Sequence, residues 1–273
     1  MKKINLHTHT IYCDGKNTAE EMIVSAIEKG FDILGFSGHS YMSYDDSYCM
    51  SLSDTRKYRS EIPRLAEKYK SDITILCGIE QDYYSYAPAL GYDYIIGSLH
   101  AFYNSKVDDY LCVDADAGML AKFIDEIYGG DAYALAEDYF KAEAFVVEQT
   151  GCDIIGHFDL LTKFNEHLHA FDESHPRYVA AVDNALSHLL AKNAIFEINT
   201  GAMSKGYRSK PYPSESILRK INAGGGKIII SSDSHAADTL DYAFEDALVL
   251  AAACGFDSIM TIGDDLRFTE VPL

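Results

Sequence analysis

Short apolar runs alternate with longer stretches whose apolar residues recur every three or four positions along almost the whole chain. Residues 3–7, 33–36, 73–76, 94–97, 153–155, 194–198 and 227–230 read as buried strands, each a run too short for a helix. The stretches between them read as amphipathic helices. Thr18-x-x-Glu21 predicts a capping box. The helix it opens has Met22, Ile23, Ala26 and Ile27 on one face and ends near Gly30. Further helices are expected over 54–70, 132–149, 177–192, from Pro213-Ser214 to the Gly224-Gly225-Gly226 stop, and over 240–253. Pro63 predicts a kink or a break within the second of these. A last apolar run covers 258–262. Residues 101–131 have weak periodicity and many Asp, Gly and Tyr, which predicts an excursion over the active face.

Strands alternating with helices imply parallel βαβ units. Seven of them fit an α/β barrel of the (β/α) type built as one domain over residues 1–273, with a doubly wound open sheet as the competing architecture. A barrel gathers the C-terminal ends of its strands on one face, where active sites sit. Here those ends carry His7, His9, His39, Glu80, His100, His157, Asn199, Asp233 and His235. An open sheet would set them along a line.

Composition narrows the function without naming it. Hydrophobic content of 48% and charged content of 24% are ordinary for a globular chain. No run approaches the length of a membrane span. The opening Met1-Lys2-Lys3 enters the first strand with no apolar signal region, so a cytoplasmic protein is expected. The net charge is −19 and no Lys/Arg cluster stands out, which argues against nucleic acid as the main partner. Six cysteines without a C-x-x-C pair argue against a zinc ribbon, a redox motif or a disulfide framework. Cys13 is the one to watch, because it adjoins the opening motif.

The chemistry follows from the strand ends. Period-2 alternation points His7 and His9 to the same side, so both imidazoles can reach one ion. Imidazole and carboxylate are ligands of zinc, iron and manganese. The histidines with Glu80, Asp233 and Asp14 exceed what a single ion needs, so two or three ions with a bridging carboxylate are expected. Such a cluster activates water and polarises a phosphoryl or carbonyl oxygen. No glycine-rich phosphate loop, nucleophile elbow or dinucleotide fingerprint competes.

His7-Thr8-His9-Thr10 with Cys13-Asp14-Gly15, then Gly38-His39, Gly78-Ile79-Glu80, Ser98-Leu99-His100, Gly156-His157 and Asp233-Ser234-His235, resemble the ordered motifs of the PHP (polymerase and histidinol phosphatase) superfamily. Asn199-Thr200 and Pro211-Tyr212-Pro213-Ser214 resemble its histidinol-phosphate phosphatase branch in particular. That resemblance implies a distorted seven-stranded barrel holding three divalent ions (zinc, manganese or iron). It puts His7, His9, Glu80 and Asp233 on one ion, lets Glu80 bridge to a second that takes His100 and His157, and gives the third His39, His235 and Asp14. Glu80, Asp233 and His235 are the residues on which catalysis would depend, through a metal-bridging hydroxide attacking phosphorus in line. The implied activity is hydrolysis of L-histidinol phosphate in histidine biosynthesis, with another small ester, such as a nucleotide or sugar phosphate, as the alternative. From a different class, a metal-stabilised binding module without turnover stays open. The branch often grips phosphate with arginines. This chain offers Lys163, Lys205 and, shifted, Arg208, and lysine acts as a point charge without the bidentate fork.

Other features have plainer readings. Glu166-His167-Leu168-His169 is a second His-x-His with no strand before it and reads as a loop pair. His175 and His188 read as surface or helix-packing residues. Asp82 and Asp159 are candidates to orient neighbouring ligands. Most of the twenty tyrosines read as core or rim.

Overall fold

The computed structural model describes residues 2–273. The first strands and helices follow the sequence pattern closely: β1 (Ile4–Asn5), α1 (Ala19–Glu28), β2 (Ile33–Phe36) and α2 (Leu52–Tyr69). Thr18 caps α1 reciprocally: its hydroxyl accepts from the Glu21 amide, and the Glu21 carboxylate accepts from the Thr18 amide at 2.8 Å. Helix α2 starts two residues earlier than expected, at a Ser51 cap, and runs through Pro63 without a break. The buried Tyr58, Ile62 and Leu65 on its inner face hold that turn despite the lost backbone donor.

β3 (Thr74–Cys77) covers the expected third strand; past Gly78 the chain forms β4 (Ile79–Asp82), a strand that the pattern did not give, and β5 (Ile95–Ser98) follows. The 101–131 segment has more regular structure than its weak periodicity suggests. β6 (Ala101–Asn104) and β7 (Asp109–Cys112) form an antiparallel hairpin, followed by α3 (Ala117–Lys122) and a π-helical turn at Phe123–Ile127. The single helix expected over 132–149 is two, α4 (Ala132–Glu143) and α5 (Val146–Thr150), because Phe145 leaves helical geometry. Then come β8 (Ile154–Ile155), α6 (Asn165–Leu168), α7 (Pro176–Leu190), β9 (Ile195–Asn199), α8 (Gly201–Ser204), α9 (Glu215–Ala223) and β10 (Lys227–Ser231). The last helix, α10 (Phe244–Ala253), starts later than residue 240. The Leu240 carbonyl is already taken by the Asn5 amide and the Ser232 hydroxyl. β11 (Ser258–Ile262) pairs antiparallel with an unforeseen β12 (Phe268–Pro272).

The strands before the C-terminal pair make two parallel sheets, ordered β1-β2-β3 and β10-β9-β8-β5-β4, with the β6–β7 hairpin apart from both. The sheets meet at both edges through isolated parallel bridges, Thr8 with Ser234 and His39 with Glu80. One apolar cluster draws Ile4, Ile33, Leu76, Ile96, Ile154, Ile195 and Ile229 from successive strands, with Tyr94 among them. The Tyr94 hydroxyl donates to the Leu6 and Phe36 carbonyls, and its ring lies so close to Gly35 and Gly78 that a Cβ at either would collide with it. Helices α1 and α2 cover one sheet, and α4, α7 and α9 cover the other, each through its own apolar cluster. Among the described residues no helix is long and apolar enough to cross a membrane.

Candidate metal centre

The two edge bridges set the geometry of the site. The His9 amide donates to the Ser234 carbonyl at 2.8 Å and the Ser234 amide to the His7 carbonyl at 3.1 Å. Thr8 and Ser234 are thereby in register, and their neighbours His7, His9, Asp233 and His235 fall on a common side. Across the other seam the Ser40 amide donates to the Glu80 carbonyl at 2.9 Å and the Glu80 amide to the Gly38 carbonyl at 3.3 Å. That register sets His39 beside Glu80.

Four atoms converge there. His7 Nε2 lies 3.3 Å from Glu80 Oε2 and 3.6 Å from Asp233 Oδ1, and His9 Nε2 lies 3.6 Å and 3.1 Å from the same two oxygens. All four are buried and lack a well-formed hydrogen bond among the described residues. An orphaned buried polar atom costs about 1–3 kcal/mol, so four together need an occupant. Ligands about 2 Å from a shared divalent ion sit about 3 Å apart, which is the spacing found. The donor set fits such ions.

Glu80 turns its other oxygen the opposite way. Its Oε1 accepts from Ser98 Oγ at 2.7 Å and lies 3.0 Å from His157 Nε2 and 3.4 Å from His100 Nε2, while His39 Nδ1 is 2.7 Å from Oε2. The carboxylate thus stands between two ligand groups. A third gathers around Asp14, whose oxygens lie 3.5 Å from His39 Nε2 and 3.1 Å from His235 Nε2. Ligand atoms of His9, Asp14, His39 and His235, of His7, His9 and Asp233, and of His39, Glu80 and His100 each fall within 4.8 Å of one another. Burial would depress His7, but the Glu197, Asp233 and Glu80 carboxylates outweigh it and hold the imidazole well above its usual value. His9, buried and facing His235 and His39, is pushed down to about 3. Burial would raise Glu80, yet His39, His7 and His100 hold it well below the carboxylate range.

A carboxylate or carbonyl behind several imidazoles orients the ring. Asp82 Oδ2 meets His100 Nδ1 at 3.0 Å, and the Asp233 carbonyl meets His235 Nδ1 at 2.9 Å. The residue that the pattern missed is Glu197. One of its oxygens holds His7 Nδ1 at 2.6 Å; the other accepts from the His157 amide and from Asn199 Nδ2, both at 2.9 Å. A carboxylate between apolar neighbours, Phe196 and Ile198, in the middle of strand β9 was the available signal. Asp159 touches no candidate ligand: it accepts from the Ser214 amide, and burial pushes it up to about 6 despite the Arg208 guanidinium.

Above this floor opens a cavity of about 330 Å³, lined by Asp14, His39, His100, His157, Asp233 and His235 together with Tyr48, Asp114, Lys163, Lys205 and Tyr212. Two of the three expected phosphate-binding residues are therefore on it. Lys205 Nζ lies 3.2 Å from His235 Nδ1. Arg208 is not with them: it is buried behind Tyr212, its guanidinium 4.5 Å from that ring and bonded to Thr162, with Asp159 4.0 Å away as its counter-charge. It lines a different cavity, which His169 also reaches. His175 caps α7 and stacks on Tyr133, and His188 pairs with Glu148.

Known proteins are similar to this chain. The histidinol-phosphatase of Bacillus subtilis is 25% identical over 271 residues, covering 90% of this chain and 98% of that protein. A Schizosaccharomyces pombe protein named a probable histidinol-phosphatase is 26% identical over 283 residues, covering 95% and 89%. The crystal structure of histidinol phosphate phosphatase from Lactococcus lactis, complexed with zinc, L-histidinol and phosphate, superposes with a TM-score of 0.72 at 19% identity, covering 98% of this chain and 99% of that one. Residues 5–201, which carry every strand from β2 to β9 and seven of the nine candidate ligands, match the PHP domain, and the chain belongs to the PHP family.

Proposed function

We propose that this protein is a metal-dependent phosphomonoesterase that hydrolyses L-histidinol phosphate to L-histidinol and phosphate, a step of histidine biosynthesis in the cytoplasm. The observation that carries the proposal is the convergence of four orphaned buried ligand atoms beneath a cavity with two lysines on its wall. The names of the relatives support the choice of ester.

Three divalent ions fit the three ligand groups: His7, His9, Glu80 and Asp233; Glu80, His100 and His157; and Asp14, His39 and His235. The two sheets, bridged at both edges, are read as one distorted seven-stranded barrel that brings these groups together. When bound, such ions supply an activated water and positive charge beside the phosphoryl oxygens. The chain supplies the rest. Lys163 and Lys205 offer ammonium groups to the incoming phosphate, which makes the cavity locally receptive in a chain of net charge −19. Complete burial of His7 and His9, and near-complete burial of Glu80, keeps bulk water from the reacting end and strengthens each electrostatic contact. Glu197 and Asp82 hold His7 and His100 so that their Nε2 atoms face inward.

The test is phosphate release from L-histidinol phosphate by purified protein, with metal content counted on the same sample. Selective turnover, lost with a chelator and restored by zinc or manganese, is the expected result. A metal-loaded protein that prefers a nucleotide or sugar phosphate would discard the substrate. One that loads metal and turns over no ester would discard the enzyme.

A further inference from the structure

Lysine holds a phosphate with a mobile point charge, and the chain that carries it must be ordered when the ligand binds. Lys163 is not left mobile. Its ammonium donates to the Asp114 backbone carbonyl at 2.8 Å and lies 3.1 Å from Asp114 Oδ2. It also sits over the Phe164 and Tyr207 rings, with only 16% of the side chain exposed. An ammonium has three donors. Asp114 takes two, leaving one for a ligand in the cavity that both residues line.

Asp114 is itself held firmly. It follows the β6–β7 hairpin, and the amide of its neighbour Val113 donates to the His100 carbonyl at 3.0 Å. The Cys112 thiol donates to its second oxygen at 3.4 Å. Burial would raise its pKa, but Lys163 and His100 outweigh burial and keep the carboxyl down at about 2, so it is ionised at neutral pH. The hairpin is fastened in turn by Tyr44, whose ring stacks on Tyr110 at 3.9 Å, and by Asn104, which donates to the Tyr128 hydroxyl. A rigid excursion thus ends in a carboxylate that fixes the position of a cavity lysine.

We propose that Asp114 is a positioning residue for phosphate binding: it clamps the Lys163 ammonium in place where no bidentate guanidinium is available. The assignment rests on the phosphomonoesterase reading of the same site. Its sign is not trivial. A carboxylate beside a phosphate site weakens anion binding by repulsion, so a bystander Asp114 would improve phosphate affinity when removed, whereas a clamp would reduce it.

Titration calorimetry with inorganic phosphate on metal-loaded protein separates the two. Asp114→Ala is expected to weaken phosphate binding about tenfold. Asp114→Asn, which keeps an oxygen acceptor, is expected to recover part of that loss. The double variant Asp114→Ala/Lys163→Ala should bind no more weakly than Lys163→Ala alone, because Asp114 acts through the lysine. Should Asp114→Ala fail to fold, Asp114→Asn alone and paired with Lys163→Ala gives the same comparison. Unchanged or tighter phosphate binding on losing the carboxylate overturns the proposal, as does full additivity in the double variant. A wild-type protein with no phosphate affinity overturns it too. Wild type that binds phosphate but leaves L-histidinol phosphate intact removes the substrate and not this assignment.

Discussion

Glu197 and Glu143 are both buried carboxylates, and their surroundings give them opposite roles. Glu197 is pinned by His7, the His157 amide and Asn199, so its charge is met on every side. Glu197→Gln would lose the charge that fixes the His7 ring and is expected to weaken metal affinity about 10–100-fold, read by metal titration of the apo protein. Glu143 has no hydrogen-bond partner on either oxygen among the described residues and is almost fully buried. Burial pushes its carboxyl well above the usual 4.5. The folded state therefore keeps a proton that the unfolded chain releases above that value, and stability falls as pH rises from there toward the folded value. Glu143→Gln is expected to raise the melting temperature at about pH 8 and to leave it unchanged at about pH 4, where both states are neutral. An equal gain at both pH values would mean that burial does not raise the carboxyl above its usual value. Neither role is visible in local spacing. Glu197 lies 190 positions from the histidine it holds.

At the scale of elements, the alternating strands and long helices were legible, while their edges and the smaller elements between them were not. Gly78 stands between β3, which was expected, and β4, which was not, and the Tyr94 ring occupies the place of its side chain. Gly78→Ala would force that ring to move within a packed interior and is expected to cost about 1–3 kcal/mol, read from the denaturant midpoint. A neutral result would show that the ring yields. The β6–β7 hairpin was read only as an irregular excursion, since a polar, tyrosine-rich hairpin lacks the clean alternation of a half-buried strand. Its order comes from tertiary partners such as the Tyr44–Tyr110 stack. The late start of α10 has the same origin, a Leu240 carbonyl claimed by Asn5 and Ser232.

For the whole molecule, the candidate ligands span residues 7 to 235 and come from both sheets, so bound ions would cross-link segments that only β-bridges and packing otherwise join. Binding to the folded state alone stabilises it in proportion to the logarithm of free metal concentration. Chelation is expected to lower the melting temperature, and stepwise return of zinc or manganese to raise it with concentration; an unchanged transition would mean that the ligands close on no ion. What the sequence by itself determined is local and periodic. Apolar runs of strand length alternate with helical faces, His7 and His9 share a side, and the PHP motifs keep their order. Register, partner and direction were decided by the tertiary structure. Thr8 stands opposite Ser234, Glu197 stands behind His7, Asp114 holds Lys163, and Arg208 faces a second cavity instead of the first. The physical reason is that a side chain's reach depends on backbone geometry within a few residues. What it meets there depends on which distant strand is packed alongside, and that choice is made by burial of the whole apolar surface at once.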